Sequence, residues 1–373
     1  MALGQCTLSS PDSWQTSGTG QWLTGSNWSG GVPTSSTNTC ITNGTSGTPT
    51  VVNLASGSGA GTVNSLQLGG FDTVNLSGHN LEVFGTQIIN DGQINVASGT
   101  VLFLDGSTTL SGAGTITLTP GGFIGTQIGG GTLTNQSTID GAGNIGDGSL
   151  DLINEGTINA NTNGQILSLF IGSGYTNTGT LEATNGGILQ INDETVNDQN
   201  GTMMAGAGSS IQLVNNAVVS GGTSFNNLGT LSIDGTSTFV VGTGAHTGTG
   251  YIQLANGMLN EMIASNSSFG VINVNGSALL NGTLNILLQG NYDPSVGSTY
   301  KFILTSANGV NGVFSSIDND VFNNGTEKWG VDYDSAGGYV ELIAEPVPEP
   351  GVLLILVPAL LGTGFKLRHQ LFR

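Results

Sequence analysis

The sequence predicts an all-β protein whose main part is a right-handed parallel β-helix, a solenoid with a cap at each end. First, 63 of its 373 residues are Gly and only 8% are charged, against averages of about 7% and about 25%. Second, short apolar–polar–apolar triplets alternate with Gly and Asn clusters, a pattern typical of short strands with one buried face. Third, the triplets recur at a nearly constant spacing, which indicates stacked repeats.

The spacing of the triplets sets the size of one coil. Their first apolar residues stand about 22 residues apart: Ile94, Ile116, Ile139, Ile158, Leu181, Met203, Leu231 and Ile252. An Asn stands four residues before several of them: Asn90, Asn135, Asn154, Asn177 and Asn227. We therefore expect residues 46–290 to wind into coils about 4.8 Å apart, with aliphatic columns inside and an Asn ladder at one corner. A β-sandwich or a propeller is the alternative; hairpin turn signals, which a sandwich needs, are few.

Both ends of a solenoid need covering, because open strand edges promote aggregation. Residues 1–45 contain three of the four Trp of the chain, Trp14, Trp22 and Trp28, and are predicted to form an N-terminal cap. Exposed Trp stacking on sugar rings is the alternative interpretation. Residues 291–345 have longer strand patterns and are predicted to form an antiparallel C-terminal cap.

The chain has two cysteines, Cys6 and Cys40. In an exported protein they would form one disulfide that ties down the N-terminal segment. The alternative is a pair of unrelated thiols.

Basic residues are rare and unevenly placed. The formal net charge is −19, and residues 1–300 contain no Lys or Arg. Such a chain has almost nothing to pair with phosphates, which excludes nucleic acid as a partner. It also lacks the basic group that a polysaccharide lyase on a β-helix typically uses to remove a proton.

Other catalytic and metal-binding patterns are weak, so we expect no enzyme and no cofactor. Winding could bring together the carboxylates of Asp140, Asp147, Asp151 and Glu155 as a glycosidase requires, but surface acids at the corners are the favoured interpretation. The three histidines, His79, His246 and His369, have no plausible catalytic partners. The candidates for binding Ca²⁺ are Asp318, Asp320, Asp332 and Asp334.

The last 28 residues have three parts in a fixed order. A Pro-rich stretch over 346–350 precedes an uncharged apolar run over 351–365, and a basic end follows over 366–373. A helix of that apolar run would be about 22 Å long, somewhat short for a hydrocarbon core of about 30 Å. We expect it to enter a membrane as a transmembrane sorting helix with its basic end on the cytoplasmic side.

This tail resembles the PEP-CTERM sorting signal of Gram-negative bacteria. The matching residues are the motif Val347, Pro348, Glu349 and Pro350, the apolar run, and the basic residues Lys366, Arg368 and Arg373. In addition, the run 22–33 resembles the opening segment of autotransporter-like β-helix surface proteins. The resemblance implies an exported exosortase substrate that is held briefly in the inner membrane and then placed at the cell surface. Residues 1–6 lack the regions of a signal peptide, so we expect the export signal upstream.

Together these features predict a non-enzymatic, adhesin-like protein of the cell surface or extracellular matrix. Its expected partners are the exosortase, the inner membrane and, outside the cell, exopolysaccharide or other surface proteins. The alternative is a polysaccharide-active or carbohydrate-binding protein on the same scaffold.

Overall fold

The computed structural model describes residues 5–348, apart from 56, 58, 199–200, 223 and 243–248. This part of the chain consists of strands and turns, with two single-turn 3-10 helices, Gly25–Asn27 and Asn323–Gly325. The strands form three long sheets, here called sheets I, II and III. The chain visits the sheets in that order, and twelve successive turns each add one strand to every sheet. The predicted parallel β-solenoid is therefore confirmed.

Sheet I has parallel strands along the solenoid and three antiparallel strands at its C-terminal end. The parallel strands are Asp12–Ser13, Asn38–Ile41, Ser65–Leu68, Gln87–Asn90, Ser107–Ser111, Thr132–Asn135, Asp151–Asn154, Tyr175–Asn177, Thr195–Asp198, Val218–Gly221, Thr238–Val241, Val271–Val274 and Thr299–Leu304. The antiparallel strands, from the inside of the sheet outward, are Tyr339–Pro346, Glu327–Asp334 and Val321–Phe322.

Sheets II and III are parallel over their length, apart from one short strand. Sheet II contains Thr19–Gln21, Thr50–Leu54, Asp72–Leu76, Gln93–Val96, Thr115–Leu118, Thr138–Gly141, Thr157–Ala160, Thr180–Ala183, Thr202–Ala205, Phe225–Asn227, Thr249–Gln253, Ser277–Leu280 and Val310–Gly312. Sheet III contains Gly61–Val63, Leu81–Val83, Val101–Leu104, Phe123–Gly125, Gly143–Ile145, Ile166–Leu169, Ile188–Asn192, Ser210–Val214, Thr230–Ile233, Met258–Ser265, Thr283–Leu288 and Ser316–Asp318. The short strand Ser268–Phe269 pairs antiparallel with Met258–Ser265.

The register of sheet II agrees with most of the predicted aliphatic column. Ile94, Ile116, Ile139, Ile158, Leu181 and Met203 lie one above the other in consecutive coils. Each is nearly or completely buried. Because the sequence repeats with the length of one coil, similar residues lie in contact with each other along the rod.

The last two members of the predicted column are wrong. After Met203 the column continues with Phe225 and Tyr251, whereas Leu231 belongs to sheet III. Ile252 lies in sheet II but next to the inward Tyr251, so it faces outward. The sheet II strand Phe225–Asn227 reads Phe-Asn-Asn and has no second apolar residue. The sequence pattern therefore points instead to the aliphatic triplet of the next strand, Thr230–Ile233, which belongs to sheet III.

A column of buried polar side chains runs along the corner between sheets I and II. The Nδ2 of Asn135 donates to the Oδ1 of Asn154 at 2.7 Å, and Asn154 donates in the same way to Asn177 at 2.7 Å. Asn177 then donates to the Oδ1 of Asp198 at 2.6 Å. All four residues are at most 3% exposed. We call these four residues the amide ladder.

Two of the predicted ladder residues do not join the ladder. Asn90 is buried at an earlier turn of the same corner, but it bonds to backbone groups of Thr115 and Gly92 rather than to another Asn. Asn227 is in sheet II and donates to Gln253 at 3.1 Å. Asn90 and Asn227 stand as far before the next predicted apolar residue as the ladder residues do, but neither stacks on the ladder.

The three Trp near the N-terminus are buried, which contradicts their use as exposed platforms for sugars. Trp14, Trp22 and Trp28 are 2%, 0% and 4% exposed, and the Trp28 ring meets the other two edge-on at 4.8 and 4.9 Å. Trp22 reaches the first strand of sheet III, where a Cβ on Gly61 would lie 3.1 Å from its Nε1. Gly20 is required beneath Trp14, because a Cβ there would lie 2.6 Å from the ring.

The parallel ladders extend beyond the range 46–290 that the sequence predicts for the solenoid body. Near the N-terminus, Asn38–Ile41 already pairs in parallel with Ser65–Leu68. Near the C-terminus, Val310–Gly312 and Ser316–Asp318 still continue sheets II and III. The Trp cluster and the antiparallel strands of sheet I are thus built directly onto coils.

Cys6 and Cys40 are joined by a disulfide, with their Cα atoms 6.0 Å apart. Cys40 lies in the second strand of sheet I, so the bond attaches the N-terminal segment to the stack. The Gln67 side chain of the next coil holds the same segment, because it accepts from the Thr7 backbone and donates to the Gln5 carbonyl.

Candidate functional site

Two cavities lie along the sheet III strand Ile166–Leu169 near the middle of the rod, one beside its start and one beyond its end. Together they are here called the groove. In the strand Ile166–Leu169, alternation turns Leu167 and Leu169 inward and Ile166 and Ser168 outward. Phe170 continues the outward row just after the strand. Ile166 and Phe170 are 42% and 39% exposed, so two apolar side chains are open to solvent here.

Side-chain amides surround the first half of the groove, a cavity of about 440 Å³. Gln190 accepts from Ser168 at 3.4 Å and donates to Gln212 at 3.2 Å. By contrast, the amides of Asn144 and Gln165 are exposed and bond to no other residue in the described part of the chain. The cavity therefore offers both fixed and free hydrogen-bonding groups.

The second half of the groove is a cavity of about 480 Å³ at the far end of the same strand. Phe170 lies on its edge, with its ring over Gly148. A Cβ on Gly148 would lie 3.2 Å from the ring, and its φ of +79° is one that glycine adopts readily. Gly148 thus allows the ring to lie against the backbone of the previous coil.

Glu194 is the most perturbed carboxyl group of this second cavity. It is 4% exposed, and its Oε1 has no hydrogen-bond partner among the residues described. Burial raises its pKa to about 8; a backbone bond from Ile171 opposes this shift and the charge of neighbouring Asp193 adds to it. At neutral pH Glu194 is therefore mostly protonated and can donate a hydrogen bond. Asp193 is exposed, with a left-handed φ of +56°.

The four acids considered for catalysis have separate structural tasks. Asp140 accepts from Thr117 and Asn161 on sheet II, whereas Glu155 accepts from Gln136 at the surface. The carboxylate of Asp151 accepts from the Gly174 backbone.

Asp147, the remaining acid, accepts hydrogen bonds from Ser149 in its own turn and from Thr126 in the previous coil. Burial raises its pKa, but bonds from Ser149 and Thr126 outweigh burial and lower the pKa to about 2. Asp147 is thus an ionised structural carboxylate.

The four Ca²⁺ candidates do not assemble into one site. Asp318 ends the last strand of sheet III, whereas Asp332 and Asp334 lie in an antiparallel strand of sheet I. Asp334 accepts from the Gly337 backbone at 2.7 Å, and Asp320 lies between strands. Over the described ranges, no group of three or more His, Cys, Asp or Glu side chains is arranged to hold a metal ion.

The residues that match the predicted sorting motif begin directly after the last described strand, Tyr339–Pro346. The Val347 backbone donates to the Thr326 carbonyl at 2.9 Å, and Pro348 follows on the surface. The other predicted residues of the tail lie outside the described residues: Glu349, Pro350, the apolar run 351–365, Lys366, Arg368 and Arg373. Within residues 5–348 as described, no helix has the length and apolar character needed to cross a bilayer.

The fold defines this chain as a parallel β-solenoid protein. In the comparisons with known proteins, no family model matches the sequence, and no curated protein is significantly similar to it.

The groove is not among the sites predicted from the sequence, although one signal for it was present. Residues 166–171 read Ile-Leu-Ser-Leu-Phe-Ile, so apolar residues occupy outward as well as inward positions of one strand. In a solenoid with polar outer faces, such a run marks an exposed apolar surface.

Proposed function

We propose that this chain is an exported, non-enzymatic protein that displays a rigid β-solenoid at the cell surface or in the extracellular matrix of a Gram-negative bacterium. The observation that carries the proposal is the three-part order of residues 346–373. The place of Val347 and the exposed Pro348 directly after the last described strand supports it, because a processing enzyme could reach this part of the motif.

The finer features of the proposal concern the tail and the hand of the coils. Residues 351–365 form a transmembrane sorting helix in the inner membrane, and the basic cluster of Lys366, Arg368 and Arg373 stays in the cytoplasm. An exosortase recognises the motif 347–350 and releases the solenoid outward. The solenoid winds right-handed, as nearly all parallel crossover connections do.

One property of the folded body supports an extracellular location. The Cys6–Cys40 disulfide is of a kind that persists in oxidising compartments and is rare in the cytosol.

The test is a processing assay in a host that contains an exosortase. Replacing Pro348, Glu349 and Pro350 together by Ala should leave the uncleaved chain in the inner membrane, whereas wild type should reach the outside. The measurement is fractionation with a mass spectrum of the mature C-terminus. Pro346→Ala, one residue before the motif, is the matched control and should be processed normally. Identical processing of the triple variant and wild type would refute the sorting proposal.

Carbohydrate binding is a second candidate function, favoured by the groove on sheet III. It does not exclude the first, since a displayed rod can hold a matrix polysaccharide. Polysaccharide cleavage has weaker support, because the four acids considered for catalysis are engaged separately in structural hydrogen bonds.

A further inference from the structure

We propose that the groove on the outer face of sheet III, from Asn144 to Glu194, binds a neutral glycan chain along the strand Ile166–Leu169. This proposal gives a place and a ligand class to the second candidate function, and rests on it. It does not depend on the sorting tail, because every residue involved belongs to the folded body.

Exposed apolar side chains provide the first part of the argument. Sugar rings have apolar faces that pack on aromatic and aliphatic side chains while their hydroxyl groups remain hydrogen-bonded. Ile166 and Phe170 are exposed on the same face, four residues apart, which corresponds to about 13 Å along a strand. This separation fits an oligosaccharide better than a single sugar.

Free hydrogen-bonding groups beside Ile166 provide the second part. The amides of Asn144, which is in register with Ser168, and of Gln165 line the cavity without a partner in the described residues. Each amide offers two donor hydrogens and one acceptor oxygen, the combination that vicinal hydroxyl groups need. The Gln190–Gln212 bond at 3.2 Å holds the adjacent wall in place, so that part of the site is formed in advance.

Charge decides the class of glycan. Residues 1–300 contain no Lys or Arg, so the groove has no cation to pair with a uronic acid or sulfate. The exposed carboxylate of Asp193 at its far end repels anionic sugars further. A neutral glycan meets amides and apolar surface without this repulsion.

Affinity electrophoresis of the full-length chain in native gels provides the test, since its negative charge gives it mobility. The gels contain dextran, mannan, xylan or a mixed-linkage β-glucan as neutral probes, and alginate or polygalacturonate as anionic probes. We expect retardation by at least one neutral probe and by neither anionic probe. Phe170→Ala and Gln165→Ala should each weaken retention, Phe170→Ala by about three- to tenfold in dissociation constant.

The matched control is Phe71→Ala. Phe71 is also 39% exposed, but it precedes the sheet II strand Asp72–Leu76 in an early coil, far from the groove. Its loss should leave retention unchanged. The proposal is overturned if no neutral probe retards the chain, if an anionic probe retards it more strongly, or if Phe170→Ala binds like wild type. Processing of the tail can be normal or abnormal in each case, so the two proposals fail separately.

Discussion

Two regions of the solenoid interior bury polar side chains in opposite ways. In the amide ladder, each side chain bonds to its counterpart in the next coil. Glu261 is instead an isolated polar residue on the core side of sheet III. Its neighbours in register are Ile233 in the coil before and Ile286 in the coil after. It is 0% exposed, and neither carboxyl oxygen has a hydrogen-bond partner among the described residues.

The difference shows that repetition satisfies buried polar groups in a solenoid. A side-chain amide has a donor at one edge and an acceptor at the other, so identical residues one coil apart complete each other. The donors of the ladder all point toward Asp198, and each bond polarises the next. A single Glu has no counterpart in the coils above and below, so it is stable there only when protonated.

Breaking the ladder at its centre should have the largest effect. Asn154→Ala removes the acceptor for Asn135 and the donor for Asn177, and leaves both groups buried without that partner. At about 1–3 kcal/mol for each of these two groups, we expect a loss of about 2–6 kcal/mol in the free energy of unfolding. Urea unfolding followed by circular dichroism measures it.

Asn163→Ala is the control for this substitution. Asn163 is exposed in a nearby turn, so its loss should change the free energy of unfolding by less than about 0.5 kcal/mol. Equal effects of the two substitutions would show that the ladder contributes no more than a surface residue.

Neutralising Glu261 should have an effect of opposite sign. Burial raises its pKa well above the ordinary value of 4.5, and the nearby Gly270 N–H, which is bonded to the Met262 carbonyl at 3.2 Å, offsets little of this. As pH rises above about 4.5 the unfolded state loses the proton while the folded state keeps it. The folded state therefore loses about 1.4 kcal/mol of stability per pH unit until its own pKa is reached.

Glu261→Gln should remove this contribution, so that stability falls less steeply with pH than in wild type, and should make the protein more stable than wild type at pH 7. The slope that remains comes from other groups with raised pKa values, such as Glu194. The measurement is the free energy of unfolding between pH 5 and pH 7 for both proteins. Glu155→Gln, at an exposed surface position, serves as the control and should leave the slope unchanged. A Gln variant that is less stable at pH 7, or has the slope of wild type, contradicts the picture of an isolated buried acid.

The fold could be predicted from the sequence because the period of the triplets equals the length of a coil. This equality places Ile94 to Met203 in one column and Asn135, Asn154 and Asn177 in one ladder. The prediction failed at Leu231, because the sheet II strand there has Asn where earlier strands have an aliphatic residue. Periodicity alone cannot assign a triplet to one of three sheets once a strand departs from the pattern.

The candidate site was much harder to predict. The groove joins Asn144, Ile166 and Gln190, which are more than twenty residues apart and meet only after the coils stack. Whether their side chains point outward depends on the alternation within each strand. That alternation changes when a strand begins one residue earlier or later, and the sequence does not fix the boundaries so closely. The burial of the Trp cluster was easier to predict, because three large apolar side chains in one short segment need a surface to cover.

The smallest effect should come from changing the end of the ladder while keeping its geometry. Burial raises the pKa of Asp198, and the bond from Asn177 lowers it. Asp198→Asn keeps an acceptor oxygen for Asn177 and removes a buried charge, so we expect a gain below about 1 kcal/mol at pH 7, measured by urea unfolding. A loss larger than this would show that the ladder depends on a negative charge at its end, and that repetition alone does not explain its stability.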